Sequence, residues 1–148
     1  MTSFTFTIPG PPFGKERPRT FHVDGVTRTI TPKKTTEYEQ FIKWLYKEKQ
    51  GPHFGIVPLR VQVYAYFEIP KSKSKEEKEL MRNDDLVPTK TPDVDNILKA
   101  VCDSLNETAY NDDRQIVSSI IVKLYDDVPR VQVTIGEFRK EHLHWNQN

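Results

Sequence analysis

The chain has a single cysteine, Cys102, among 148 residues. An internal disulfide is therefore excluded, as is a zinc site built from several thiolates, and a reducing, intracellular setting is the expectation. Long apolar runs are also lacking. The N-terminus, Met1-Thr-Ser-Phe-Thr-Phe-Thr7, has neither a basic start nor an apolar stretch of signal-peptide length, and nothing downstream is long enough to span a bilayer. A soluble, cytoplasmic protein with no membrane partner is expected. No Gly-rich phosphate loop occurs, which argues against a nucleotide cofactor. Charge of one sign is not in excess either: 22 Lys and Arg face 21 Asp and Glu, and a net charge of +1 does not by itself point to nucleic acid.

What is present is a polar chain of single-domain size. At 36% hydrophobic and 29% charged it lies well clear of the disordered class, so one domain spanning 1–148 is the natural reading. Phe4, Phe6 and Ile8 alternate with threonines as in a strand with one buried face, which ends at Pro9. The proline-stiffened run from Pro9 to Arg19 predicts an ordered surface loop displaying Lys15, Arg17 and Arg19, and Asp24-Gly25 suits the turn of a following hairpin. Thr36 and Glu39 have capping-box spacing ahead of Tyr38, Phe41, Ile42, Leu45 and Tyr46 at helical intervals, predicting a helix to about residue 49. Leu59, Val61, Val63, Ala65, Phe67 and Ile69 then alternate strictly, predicting a central strand.

Residues 71–90 read as a charged, solvated insertion, in which Ser74 and Glu77 could cap a short helix that breaks at Asn83-Asp-Asp85. A second principal helix is expected from Thr91-Pro92 to about Asn106, with Val94, Ile97, Leu98, Val101 and Leu105 as its apolar stripe. Strands over 115–125 and 130–135 are expected to form a hairpin through Asp126-Asp-Val-Pro129, before a polar tail beyond Glu137. The order of elements predicts an α+β (mixed α/β) fold: a single mixed sheet of about four main strands flanked by two principal helices.

Charge is segregated along this chain. Lys15, Arg17, Arg19, Lys33 and Lys34 gather near the N-terminus, a pattern suited to backbone phosphates of DNA, though also to ordinary solvated surface. Acids gather later, in Thr91-Pro-Asp-Val-Asp-Asn-Ile-Leu-Lys99 and Tyr110-Asn-Asp-Asp-Arg-Gln115. Aspartates at a helix start can simply satisfy its free amides and dipole. On a regular helix, however, residues two apart point about 200° away from each other, so Asp93 and Asp95 can share an ion only if the backbone at Asp93 is not yet helical. Thr91-Pro92 makes such an irregular start plausible. Asp95, Lys99 and Asp103 then follow on one face, readable as two surface ion pairs or as a lysine set one turn beyond metal carboxylates. The second cluster precedes a strand and would project one more hard oxygen ligand from a rigid edge, unless it is only an aspartate-rich turn.

Pro92-Asp93-Val94-Asp95-Asn96 with Lys99, then Asp103-Ser-Leu105, Tyr110-Asn-Asp112-Asp113, Gln115-Ile116-Val117 and the N-terminal Pro-Gly-x-Pro loop resemble the RusA family of Holliday junction resolvases over most of the chain. The resemblance implies Asp93, Asp95 and Asp113 as catalytic magnesium ligands, with Asp112 a further candidate, and Lys99 as a catalytic or phosphate-contacting lysine. It also implies Mg²⁺ as cofactor with Mn²⁺ as substitute, a homodimer acting on four-way branched DNA in recombination and repair, and a bacterial or phage origin. The 71–90 insertion is longer than a compact member would need. The competing expectations are a branched-DNA-binding protein without catalysis, whose aspartates only cap the helix, and a magnesium nuclease acting on other branches. His142-x-His144, His22 and His53 are too scattered to count as a metal site, and Cys102 reads as a packed thiol.

Overall fold

A computed structural model describes residues 3–143. Its main sheet has four strands in the order β1-β6-β4-β5, where β1 is Ser3–Pro9, β4 Leu59–Glu68, β5 Ile116–Asp126 and β6 Arg130–Glu137. β6 runs antiparallel to both β1 and β4, whereas β5 is parallel to β4, so the sheet is mixed. β2 (Arg19–Val23) and β3 (Val26–Ile30) form the expected hairpin as a separate two-stranded sheet. All ten of its strand residues are exposed, including Phe21, Val23, Val26 and Ile30.

Strict alternation explains why β4 is interior. Leu59, Val61, Val63, Ala65 and Phe67 are all buried on one face, and Val131, Val133 and Ile135 of β6 and Phe6 and Ile8 of β1 extend that face. Two helices cover it: α1 (Lys33–Glu48) through Ile42, Leu45 and Tyr46, and α3 (Val94–Ser104) through Ile97 and Val101, continued by Leu105. Each such fully buried side chain contributes about 1.5–3 kcal/mol, so this layer is the main source of stability. The opposite face carries Thr5, Thr7, Tyr64, Tyr66, Gln132 and Thr134, none of them fully buried.

Several expectations are corrected. β5 and β6 are not a hairpin, because β4 lies between them and takes the ladder bonds of both. The link over 127–129 therefore crosses the end of β4. α1 begins at Lys33, not behind a Thr36 cap; Thr36 is inside the helix, where its hydroxyl donates to the Pro32 carbonyl. Phe41 and Val94, assigned to apolar stripes, are substantially exposed. The insertion does hold the capped helix, α2 (Lys75–Arg82), with Ser74 accepting from the Glu77 amide. It is not merely solvated: Met81 is buried and Arg82 grips Asp127 through two hydrogen bonds of 3.1 Å, fastening α2 beside the sheet. The polar tail makes a short 3-10 turn at Lys140–Leu143, while His144 lies outside the described residues.

Candidate active site

The start of α3 explains how two aspartates two residues apart can serve one region. Asp93 is the N-cap with extended backbone, φ −74° and ψ 156°, after a cis Thr91–Pro92 bond, and Asp95 is in the first helical turn. The irregular helix start expected from Pro92 is present. Although Asp93 occupies the capping position, its carboxylate caps nothing: no side-chain cap hydrogen bond is made. Its oxygens stay exposed and available.

The N-terminal loop is pinned against this helix start. The Lys15 amide donates to the Asn96 carbonyl at 3.0 Å and the Glu16 amide to Thr35 Oγ1 at 3.3 Å. Gly14 is needed there by contact, since a Cβ would lie 2.7 Å from Pro92 Cβ and 3.2 Å from Asn96 Cβ. Lys15 is accordingly not displayed to solvent as expected. Its Nζ lies 2.6 Å from Asp103 Oδ2 and 3.1 Å from Glu39 Oε1, with all three side chains about one-fifth exposed. Burial alone would lower the Lys15 pKa, but the hydrogen bonds and opposite charges of Asp103 and Glu39 outweigh it and hold the value above 10.5. Asp103 takes Lys15 as its partner, so the Asp95–Lys99–Asp103 ion-pair ladder does not form among the described residues.

Asp113 comes from a 3-10 turn, Asp113–Gln115, that feeds directly into β5. The turn is fixed from three sides. The Asp113 amide donates to Asn106 Oδ1 at 2.8 Å, the Asp112 carboxylate accepts from the Arg114 amide at 2.9 Å, and Gln115 Nε2 donates to the Gly55 and Val57 carbonyls at 2.7 and 3.1 Å. Asp112 is thus occupied as a cap, and that backbone bond is the leading reason its carboxyl stays below the ordinary range. Asp113 is shifted the other way. A hydrogen bond with the Asp103 carboxyl comes first among the causes, then burial, then the charges of Asp103 and Asp112, and its proton is held above the ordinary 3.8.

Asp95, Lys99, Asp103 and Asp113 line one open depression with Leu98, Cys102, Ile116 and Ser119. Asp93 borders the next one, with Gly14, Lys15, Pro92 and Asn96. Of the expected ligands, Asp95 and Asp113 therefore meet in one depression and Asp93 stands at its neighbour. No three Asp, Glu, His or Cys side chains among the described residues are close enough to hold an ion as they stand. The donor set nevertheless suits a hard divalent cation: all oxygens, with a carboxyl pair at Asp103 and Asp113 whose mutual repulsion a cation would relieve.

Arg19, Lys33 and Lys34 line a separate groove between the hairpin and the start of α1, and Arg17 is exposed beside it. Asp103, Glu39 and Asn106 were not assigned from the sequence. A signal existed for Asp103, four residues beyond Lys99 on the same helix face, but none for Glu39, which reaches the site across the α1–α3 contact. Cys102 is buried, and burial pushes its thiol up to about 12, as expected of a packed side chain.

The endodeoxyribonuclease RusA family model matches residues 9–136, a span that contains every residue of this site. The chain is also 34% identical over 139 residues to an uncharacterized protein, YqaN, of Bacillus subtilis (strain 168), an alignment covering 93% of this chain and 98% of that protein.

Proposed function

The chain belongs to the endodeoxyribonuclease RusA family, and from that premise we propose that it is a magnesium-dependent Holliday junction resolvase acting in recombination and repair. The observation that carries the reading is the uncapped carboxylate of Asp93, two residues before Asp95, which lines the acidic depression. An aspartate present only to stabilise the helix would accept from the amides of the first turn, as Asp112 does in its own turn.

In this reading Asp93, Asp95 and Asp113 hold Mg²⁺, for which Mn²⁺ substitutes. When bound, the ion supplies Lewis-acid stabilisation of the phosphodiester and activates a water for in-line attack. Lys99, exposed on the same helix face, neutralises a phosphate oxygen or orients that water. Lys15 holds Asp103 in place through its 2.6 Å contact, and Asp103 raises the proton affinity of Asp113. The cut leaves 5′-phosphate and 3′-hydroxyl ends. Arg17, Arg19, Lys33 and Lys34 hold backbone phosphates, giving affinity that falls with salt and carries little sequence information. A two-fold homodimer presents two such sites to opposed strands of a four-way junction.

The test is Asp95→Asn on synthetic branched DNA. It is expected to shift a four-way junction in a gel as the parent does and to cut nothing. Mg²⁺-dependent cutting by the pure variant would remove Asp95 from the mechanism. Equal cutting of flaps and forks by the parent would widen the substrate to branched DNA in general.

A further inference from the structure

Beside the acidic depression lies a second cationic feature, formed by Lys90 and Lys123. Lys90 ends the segment that leads into Thr91-Pro92-Asp93, and Lys123 is on β5. The register pairs Ser119 with Val61 and Lys123 with Ala65, and both partners point into the core, so Ser119 and Lys123 share the helix-bearing face. Ser119 is also a wall of the depression that holds Asp95, Lys99 and Asp113. Four residues at about 3.3 Å each place Lys123 about 13 Å from that wall, a span of about four base steps at 3.4 Å.

The two ammonium groups converge on one aromatic ring. Lys123 Nζ is 5.3 Å and Lys90 Nζ 5.8 Å from the Phe67 centroid, and Lys90 Nζ is 6.0 Å from that of Tyr125. Lys123 Nζ also donates to the Lys90 carbonyl, which fixes the segment next to Asp93 onto the edge of the sheet. A cation–π contact contributes only about 0.5–1 kcal/mol at an exposed site, and like charges brought together oppose it. Among the described residues neither lysine has an ion-pair partner, in contrast to Lys15 with its two carboxylates. Of the acids nearby, Glu68 is exposed at the end of β4 and lines a depression with Phe67 and Lys90 but makes no ion pair among the described residues, and Asp126 is held by Arg130 at 2.7 Å. The tether accounts for Lys123 but uses only the backbone of residue 90, so fold stability gives no reason to bring a second cation without an ion-pair partner against the same ring. An anion seated between them does, with the rings as a flat floor beneath the lysine stems.

We propose that Lys90 and Lys123 clamp one backbone phosphate of a DNA arm as it runs along β5 away from the cleavage site. The clamp rests on the nuclease reading and adds a path for the arm along this edge. Protection of an exposed strand edge would explain a lysine at 123. It would not explain Lys90, which is on no strand.

The experiment measures binding of a synthetic four-way DNA junction in EDTA across a salt series, with Asp95→Asn as the parent. Lys90→Gln/Lys123→Gln is expected to lower the slope of log K against log salt by about 0.9, the value for one phosphate contact. Lys90→Gln alone leaves its backbone carbonyl, and so the Lys123 tether, intact. It is expected to lower the slope in the same direction, and Lys90→Arg is expected to keep the parental slope. Unchanged slopes with parental binding intact, or lower thermal stability without a slope change, would overturn the clamp alone. A parent that binds no branched DNA would overturn the nuclease reading along with it.

Discussion

Replacing Lys15 with methionine separates an internal ion pair from a DNA contact. The change keeps most of the apolar stem and deletes an ammonium lying 2.6 Å from Asp103 and 3.1 Å from Glu39. A hydrogen bond to a charged group contributes about 1.5–3 kcal/mol when well buried. These groups are about one-fifth exposed, so solvent screening reduces each contact, but the two carboxylates are also left facing one another beside Asp113. A net loss of about 2–3 kcal/mol follows, which for a chain of this length lowers Tm by about 4–12 °C. The raised Lys15 pKa means that the pair contributes fully below 10.5 and fades as pH climbs through the higher folded value, so the measurement belongs near neutral pH, by thermal unfolding followed by circular dichroism. Asp103→Asn added to Lys15→Met should recover part of the loss, because it removes one of the stranded charges. An unchanged Tm with junction affinity lost and a shallower salt slope would refute this account and return Lys15 to the phosphate-binding role its sequence context suggested.

Asp93→Asn should leave Tm within about 0.5 °C to 2 °C of the parent, since no cap bond is lost, while cleavage falls at least about 100-fold; a large drop in Tm would restore the capping role. Asp113 must shed a proton that Asp103 helps to hold, so at limiting Mg²⁺ the acid limb of the pH–rate profile should lie above 3.8 and move down in Asp103→Asn. Gly14→Ala should cost about 1–3 kcal/mol and reduce cleavage, as its Cβ would drive the N-terminal loop away from Pro92 and Asn96, measured by unfolding and junction cutting together. Native Cys102 should resist alkylation at pH 8 and react only on unfolding, because burial raises its thiol to about 12.

Periodicity made the core legible in advance. The alternation over 59–69 marked the interior strand, and the stripe through Ile97 and Val101 marked the buried face of α3, because burial is written into which residue types recur at which interval. Strand neighbours were not legible: a short acidic link looks the same whether it turns between paired strands or crosses the end of a third. At the site, the need for a non-helical Asp93 followed from helix geometry, and Asp113 arrived from the expected turn. The fate of Lys15 did not follow. Its proline-rich surroundings suggest an exposed loop, and only the three-dimensional packing of Gly14 on Pro92 brings the ammonium between α1 and α3. Lys90 and Lys123, 33 residues apart with nothing distinctive locally, meet only because of the sheet register.

The central claim is that these aspartates direct metal-dependent cutting of a four-way junction. Its most direct test is strand-by-strand mapping of a synthetic mobile junction incubated with the protein in Mg²⁺ or in EDTA. Paired nicks in two opposed strands, with 5′-phosphate ends, are expected in Mg²⁺ only. Cutting that persists in EDTA, or no cutting of the junction in either Mg²⁺ or Mn²⁺, would contradict it.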